Sequence, residues 1–308
     1  MPAASRQPPA ASLDGVLVID KPAGPTSHDV VARMRRVLGT KRIGHTGTLD
    51  PFATGVLPLV IGRATRLATF LSGDEKEYDA GIRFGLATET YDGARLSGAA
   101  IDPPAGLDRA AIEQALTAFR GTFEQMPPPY SAKKIDGVAA YKLARKNKPV
   151  PLRAVPVCVS ELLLDTYERG LARVRVRANA GFYVRSLAHD LGQKLGCGAH
   201  LESLRRTRAG AFRLEVGLPL ERAESEPERA KASVVPLERL LPEIPAVTLN
   251  DRGVWRATHG NQVGPDDVTQ GSVTGDERRR RLLDGAGRLL GIAEMRSGDL
   301  LHPVLMLV

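Results

Sequence analysis

PVCVSELLLDTYERGLARVRVRA, residues 156–178, decides the fold class. In its second arm Val174, Val176 and Ala178 alternate with Arg173, Arg175 and Arg177, the period of two of a strand with one dry and one wet face. Pro156–Tyr167 and Leu171–Ala178 therefore read as the two arms of a hairpin. Lys76–Gly85 repeats the pattern, with Tyr78, Ala80, Ile82 and Phe84 set against Glu77, Asp79, Gly81 and Arg83. Two apolar runs, GVLVID (15–20) and VLPLVIG (56–62), read as buried strands.

Helices lie between these strands. Thr26-Ser27-His28-Asp29 has the capping-box spacing, and Val30, Val31, Met34, Val37 and Leu38 then share one face up to Gly39. Leu107–Arg120 reads as a second amphipathic helix with Asp108 as its N-cap. QMPPPYSAKKIDG holds three consecutive prolines and reads as an extended segment, with a short helix over Val138–Lys146. GFYVRSLAHDLGQKLG (181–196) turns from strand into helix. This mixed order gives an α+β class with a mixed, largely antiparallel central sheet flanked by helices. Residues 1–12, rich in Ala, Pro and Ser, read as a disordered tail. The charged stretch Glu221–Ala232 reads as a boundary and Pro242–Pro245 as a second break. A main domain is expected over 13–240 and a small β-rich module over 246–308.

Composition narrows the function. With 308 residues and 43% hydrophobic content the chain buries a real core. No apolar run approaches the roughly 20 residues of a membrane span, and the N-terminus lacks an apolar signal core. Cys158 and Cys197 alone support no disulfide framework, so both read as small buried hydrophobes in a cytoplasmic protein. Lys and Arg total 43 against 35 acidic residues, a net charge of +8 that favours a polyanionic partner. The six histidines form no metal-ligand spacing, and neither a P-loop nor a GxSxG elbow occurs.

That elimination leaves GHTGTLDPFATG, residues 44–55. Locally, Asp50 before Pro51 reads as a turn-capping carboxylate. Three glycines leave room for close backbone approach, and the apolar flanks anchor the loop, which suits a catalytic group. Arg185 reads either as a solvated arginine or as the partner that orients a carboxylate. Tyr78 and Tyr183 read as core aromatics or as a stacking platform for a base. LESLRRTRAG (201–210) and AYKLARKNK (140–148) read as amphipathic surface or as phosphate contacts through Arg205, Arg206, Lys134 and Arg145. Arg278–Arg281 reads as a solvated loop, or as an extension of an RNA path.

In combination these motifs carry a resemblance. GVLVIDKPAGPTSHDVV, GHTGTLDPFATGVLPL, KEYDAGIRFG, PPPYSAKKIDGVAAYKLAR, GFYVRSLAHDLG and CGAHLESLRRTRAG stand in the order found in bacterial TruB-type tRNA pseudouridine synthases. The resemblance covers about Gly15–Gly217, and residues 246–308 resemble the PUA-like RNA-binding module of many members. It implies isomerisation of uridine 55 in the tRNA T-arm, with base flipping and without metal or cofactor. It places the catalytic aspartate on Asp50, the arginine that pairs with it on Arg185, and the substrate contacts on His45, Tyr78, Tyr183 and Leu204. It places basic RNA contacts on Lys21, Lys134 and Arg145. The implied partner is the tRNA elbow, for a monomer that needs neither a membrane nor another protein. One departure lies in TETYDG, where Glu89 and bulky Tyr91 replace an Asp and a small residue while Asp92 matches. The residues leave open whether Asp50 attacks covalently or removes a sugar proton, and whether Tyr78 stacks or takes the final proton from carbon 5. A tRNA-folding chaperone and a synthase acting on other RNAs are the competing readings.

Overall fold

The computed structural model describes residues 13–73, 75–94, 96, 102, 104–131, 134–135, 138–139, 152–275, 277–296 and 299–307. The expected tail, 1–12, lies outside them.

The chain opens with β1 (Gly15–Lys21), α1 (Ser27–Val37), β2 (Ile43–His45), β3 (Thr54–Ile61), α2 (Ala68–Ser72) and β4 (Lys76–Phe84). It continues through α3 (Arg109–Leu116), β5 (Gly121–Gln125), β6 (Lys134–Ile135), β7 (Val138–Ala139), β8 (Val155–Glu168) and β9 (Leu171–Ala178). Then come α4 (Val184–Lys194), β10 (Ala199–Ala209), β11 (Phe212–Arg213), β12 (Leu218–Pro219), α5 (Leu220–Ser225), α6 (Pro227–Ala232) and β13 (Val235–Pro236). The last part holds β14 (Ala246–Leu249), α7 (Asp251–Thr258), β15 (Val268–Gln270), β16 (Arg279–Leu283), β17 (Leu289–Arg296) and β18 (Leu300–Met306).

The main sheet runs β12-β1-β3-β10-β4-β9-β8-β5, with β11 on β10, β13 on β1 and β2 on β3. Only the β1–β12 and β3–β10 pairs are parallel. The sheet is thus mixed and largely antiparallel, as the alternating strands imply. The β8–β9 hairpin forms as read, with Leu162 opposite Val176 and Leu164 opposite Val174. β1 is apolar from Gly15 to Ile19 because both its faces are covered. Leu17 and Ile19 join the helix-side core with Leu57, Leu59 and Met34, whereas Val16 and Val18 join a second core behind the sheet. That second core takes in Leu289, Ile292 and Leu307, so the C-terminal sheet, β15-β14-β16-β17-β18, packs on the back of β1 and β3.

The capping box at Thr26 and Asp29 forms, and Val30, Val31 and Met34 are buried. Several expectations are corrected. The helix expected over 107–120 stops at Leu116 and closes with a 3₁₀ turn over Thr117–Phe119, because Gly121, at φ 74°, leads into β5. Residues 181–183, expected as strand, are not one: the Gln125 amide clamps the Tyr183 backbone, donating to its carbonyl at 3.1 Å and accepting from its N–H at 2.8 Å. Those side-chain bonds satisfy groups that a strand ladder would otherwise use. Glu221–Ala232 is no linker. It lies in α5 and α6, whose Ala223 and Ala230 are fully buried in the main core. Residues 201–209 lie in the central strand β10 rather than on an amphipathic surface, and Arg279–Leu283 is a strand rather than a loop. Val138–Ala139 pairs with β6 instead of starting a helix, and 140–146 lie outside the described residues. Cys158 and Cys197 are half-buried rather than core.

Candidate active site

The 46–53 loop between β2 and β3 is held from three sides. Ser27, in the first turn of α1, accepts from the Leu49 N–H at 2.8 Å and donates to the Leu49 carbonyl at 3.1 Å. Lys21 leaves the end of β1 and donates to the carbonyls of Pro22, Pro51 and Ala53 at 2.8, 3.1 and 2.7 Å. Arg206 on β10 donates to the Val56 carbonyl at 2.7 Å and the Gly47 carbonyl at 3.1 Å. Its guanidinium also bonds the hydroxyl of Tyr78, its cross-strand neighbour on β4. Both cations are buried, Lys21 at 0% and Arg206 at 1% exposure. Burial drives the Lys21 ammonium down to about 8, against an upward pull from Asp50. Burial also lowers Arg206, with Tyr78 opposing. Carbonyls of distant chain thus solvate two charges that water does not reach, which is how an interior charge is tolerated.

Asp50 projects from this braced loop onto α4. Arg185, in the first turn of α4, grips it with two bonds: Nε to Oδ2 at 2.9 Å and Nη2 to Oδ1 at 3.1 Å. The remaining guanidinium protons go to the Thr90 carbonyl at 2.9 Å, the Tyr130 carbonyl at 2.9 Å and the Asp92 carboxylate at 3.5 Å. All five donors are spent, so the planar fork has one orientation. Two cations (Lys21, Arg185) and two carboxylates (Asp50, Asp92) make the group neutral. Burial pushes the Asp50 carboxyl up; Arg185 and Lys21 pull it down, and Asp92 adds to the upward push. About a third of the Asp50 side chain, 32%, stays open, so one edge of the carboxylate faces the pocket.

Two cavities meet at Asp50. A small one of about 110 Å³ is lined by Leu49, Tyr78, Phe182, Tyr183, Val184 and Leu204 besides Asp50 and Arg185. A larger one of about 540 Å³ lies toward His28, Phe52, Thr90, Asp92 and Tyr130. The first is aromatic and apolar with one carboxylate at its edge, the form of a pocket for a planar base.

Of the residues singled out in the sequence, Asp50, Arg185, Tyr78, Tyr183 and Leu204 come together around the small cavity. His45 stands behind it on β2, its ring edge-on to His28 at 5.2 Å, and lines neither cavity. Burial, with His28 and Arg206 adding to it, lowers the His45 imidazole to about 4, so it is neutral at pH 7. Lys21 and Arg206 are corrected: both are interior braces, with no exposed charge to meet a phosphate. Arg205 keeps a 39% exposed side chain and pairs with Asp20 at 2.8 Å. The side chain of Lys134, and all of Arg145, lie outside the described residues. The Arg278–Arg281 run divides: Arg278 and Arg279 stay exposed in ion pairs, while Arg280 and Arg281 are engaged by backbone carbonyls. Arg278 and Arg279 pair with Glu294, Arg280 bonds four carbonyls at 3% exposure, and Arg281 bonds the carbonyls of Glu238, Leu240 and Ile244. Sequence reasoning gave Asp92, Ser27 and Gln125 no role. A lone Asp in TETYDG looks like a turn residue, and its resemblance to the family was the one signal available.

Residues 35–184 match the model of the TruB family pseudouridylate synthase N-terminal domain, and residues 185–241 match that of the tRNA pseudouridylate synthase B C-terminal domain. By class the protein is a pseudouridine synthase, an isomerase. Among its relatives, tRNA pseudouridine synthase B of Solibacter usitatus is 44% identical over 297 residues, covering 96% of this chain and 100% of the relative. That of Symbiobacterium thermophilum is 46% identical over 254 residues, covering 82% and 83%. The chain belongs to the TruB family. Solved structures agree. An H/ACA RNP bound to a substrate RNA containing 2'-deoxyuridine superposes with a TM-score of 0.72 at 26% identity, covering 96% of this chain and 86% of that one. A Cbf5-Nop10-Gar1 complex gives 0.72 at 27%, covering 98% and 88%.

Proposed function

We propose that the protein converts uridine 55 in the T-loop of tRNA to pseudouridine, with Asp50 as its catalytic residue. The observation that carries this reading is the two-bond Arg185 grip on Asp50 at the edge of the small aromatic cavity. The names of the relatives support tRNA as the substrate.

A uridine inside a folded RNA loop reaches Asp50 only when flipped from its stack, which costs a few kcal/mol. Stacking on Tyr78 and apolar contact with Leu204 and Phe182 offset that cost. The bond between N1 and the sugar then breaks, the uracil turns in place, and carbon 5 bonds to the sugar carbon. Carbon 5 loses its proton and N1 gains one, so atoms balance without water, metal or cofactor. Asp50 acts either by forming an ester with the sugar carbon as N1 leaves, displaced again when carbon 5 attacks, or by removing a sugar proton that it returns as carbon 5 adds. Arg185 keeps it ionised and aimed, and Lys21, Ser27 and Arg206 hold its loop still, the preorganisation that such a step requires. Tyr78 either stacks only or accepts the carbon 5 proton. His45, neutral and packed on His28, supports the wall behind the loop. Arg205 meets RNA phosphate, a role that the family resemblance extends to Lys134 and Arg145, and residues 246–308 act as a PUA-like RNA-binding module. The enzyme works in the cytoplasm as a monomer without an obligatory protein partner.

Incubating the protein with unmodified tRNA transcript and mapping pseudouridine chemically tests this reading. Product at the T-loop is expected, and none from folded protein would end it. Asp50→Asn is expected to abolish turnover while tRNA binding survives; appreciable residual turnover would refute the assigned role.

A further inference from the structure

The 88–94 segment supplies two of the five acceptors around Arg185, the Thr90 carbonyl and the Asp92 carboxylate. Between them stands Tyr91, with φ at 64°, a left-handed conformation that few side chains other than glycine adopt without strain. The left-handed turn splits two consecutive carbonyls. That of Thr90 accepts from Arg185, while that of Tyr91 accepts from the Leu201 N–H of β10 at 2.9 Å. The segment thus bridges α4 and β10.

On the α4 side the Tyr91 ring lies flat on the His189 ring, with centroids 3.8 Å apart and planes 9° from parallel. His189 stands four residues after Arg185 in α4, on the same helix face. The stack therefore joins the same two elements as the Arg185 contacts, one turn further along. Neither ring lines the cavities at Asp50. Within the segment, Asp92 is fixed by Thr90 Oγ1 at 2.9 Å and by the Ala94 N–H at 3.2 Å. These bonds shape the turn but do not tie it to the helix. Beside the Arg185 contacts, the Tyr91–His189 stack joins the turn to α4, with Asp190 of the same helix close enough to act on the Tyr91 hydroxyl, while the Gly93 N–H donates to the Leu201 carbonyl at 2.9 Å on the β10 side.

We propose that Tyr91 is a positioning residue for the isomerisation: stacked on His189, it holds the Thr90–Asp92 turn against α4 and so fixes the orientation in which Arg185 presents Asp50. The proposal rests on the function proposed above. It explains why a bulky aromatic occupies a left-handed position where glycine would sit without strain.

The test uses the full chain and a tRNA transcript. Tyr91→Gly relieves the backbone strain and removes the ring, so it folds readily while losing the stack. Tyr91→Phe keeps the ring. Single-turnover rate, tRNA dissociation constant and thermal midpoint are measured for both, for His189→Ala, and for the double variant Tyr91→Gly/His189→Ala. Misplacement of the Arg185–Asp50 pair by a fraction of an ångström is expected to slow Tyr91→Gly on the order of tenfold, with tRNA affinity unchanged. Tyr91→Phe is expected to retain the wild-type rate, and the double variant to be no slower than the slower single variant, because both remove one contact. A Tyr91→Gly rate equal to wild type overturns the proposal. So does a loss seen only in tRNA affinity or thermal midpoint, a failure of Tyr91→Phe to retain the rate, or losses that multiply in the double variant. Inactivity of the wild-type protein on tRNA would instead strike the functional reading.

Discussion

Replacing Arg185 by Met separates the structural and the chemical duties of the guanidinium. The side chain is 6% exposed and makes five hydrogen bonds, two to Asp50 and one each to Thr90, Tyr130 and Asp92. Met fills similar volume but leaves Asp50 and Asp92 facing each other, with Lys21 as the one remaining cation of the group. Removing one member of a buried ion pair costs about 3–5 kcal/mol, mostly from the charge left behind. The two orphaned carbonyls act in the same direction. A loss of about 3–5 kcal/mol is a large share of the roughly 5–15 kcal/mol that holds a typical domain together. Adding Asp92→Asn to Arg185→Met restores charge balance with Lys21 and is expected to recover part of that loss. In the wild-type background, Asp92→Asn loses the 3.5 Å contact with Arg185 while its amide oxygen keeps the acceptor that Thr90 and Ala94 use, and is expected to cost about 1 kcal/mol. Urea unfolding of the four proteins at pH 7, followed by circular dichroism, gives the cycle. Turnover is expected to stay absent in the stabilised double variant, since nothing aims Asp50. A cost below about 1 kcal/mol for Arg185→Met, or losses that simply add in the double variant, would refute the account of a charge-balanced cluster.

Two further outcomes follow from the same site. Turnover needs ionised Asp50, whose carboxyl burial holds above its ordinary value of 3.8, so the single-turnover rate should fall on the acid side at a pH above that value. Asp92 adds to the upward push, so Asp92→Asn should move this limb to lower pH; a limb that stays in place would contradict the coupling. For Arg206→Met, the salt dependence of tRNA binding should keep its wild-type slope, because the buried guanidinium meets no phosphate. The half-exposed Arg205→Ala should reduce that slope by about one counterion. An equal reduction in both would put Arg206 on the RNA.

The second arm of the hairpin was legible because its alternation is uninterrupted, Val174, Val176 and Ala178 pointing one way and the arginines the other, the two register shifts of the pair falling in β8. β10 was not, for a physical reason. Its ladder with β4 shifts register between Leu201 and Ser203 and again between Arg206 and Arg208, so the alternation breaks twice within LESLRRTRAG. The pairing of Asp50 with Arg185 spans 135 positions and leaves no local trace, so the motif order supplied the pair. Lys21 and Arg206 were read as surface cations because a lone Lys or Arg usually is one. What overturns that prior, a set of carbonyls from residues 22, 47, 51, 53 and 56, is assembled only by the fold.

The same accounting changes what the net charge of +8 means. Lys21, Arg185, Arg206 and Arg280 are buried, and Arg281 is spent on three carbonyls. These charges lie inside the molecule, where they orient backbone. The Asp50 loop gathers most of them. The carbonyls of Gly47, Leu49, Pro51 and Ala53 all accept from Lys21, Ser27, Arg206 or the Gly24 N–H, and the Leu49 N–H is held by Ser27. A loop with its backbone groups engaged on both sides of residue 50 has little freedom to retract its side chain. The open edge of Asp50 is then the one part of the carboxylate that the loop leaves facing the pocket. Lys21 and Arg206, which sequence reading assigns to RNA, contribute instead by holding the loop of one carboxylate still.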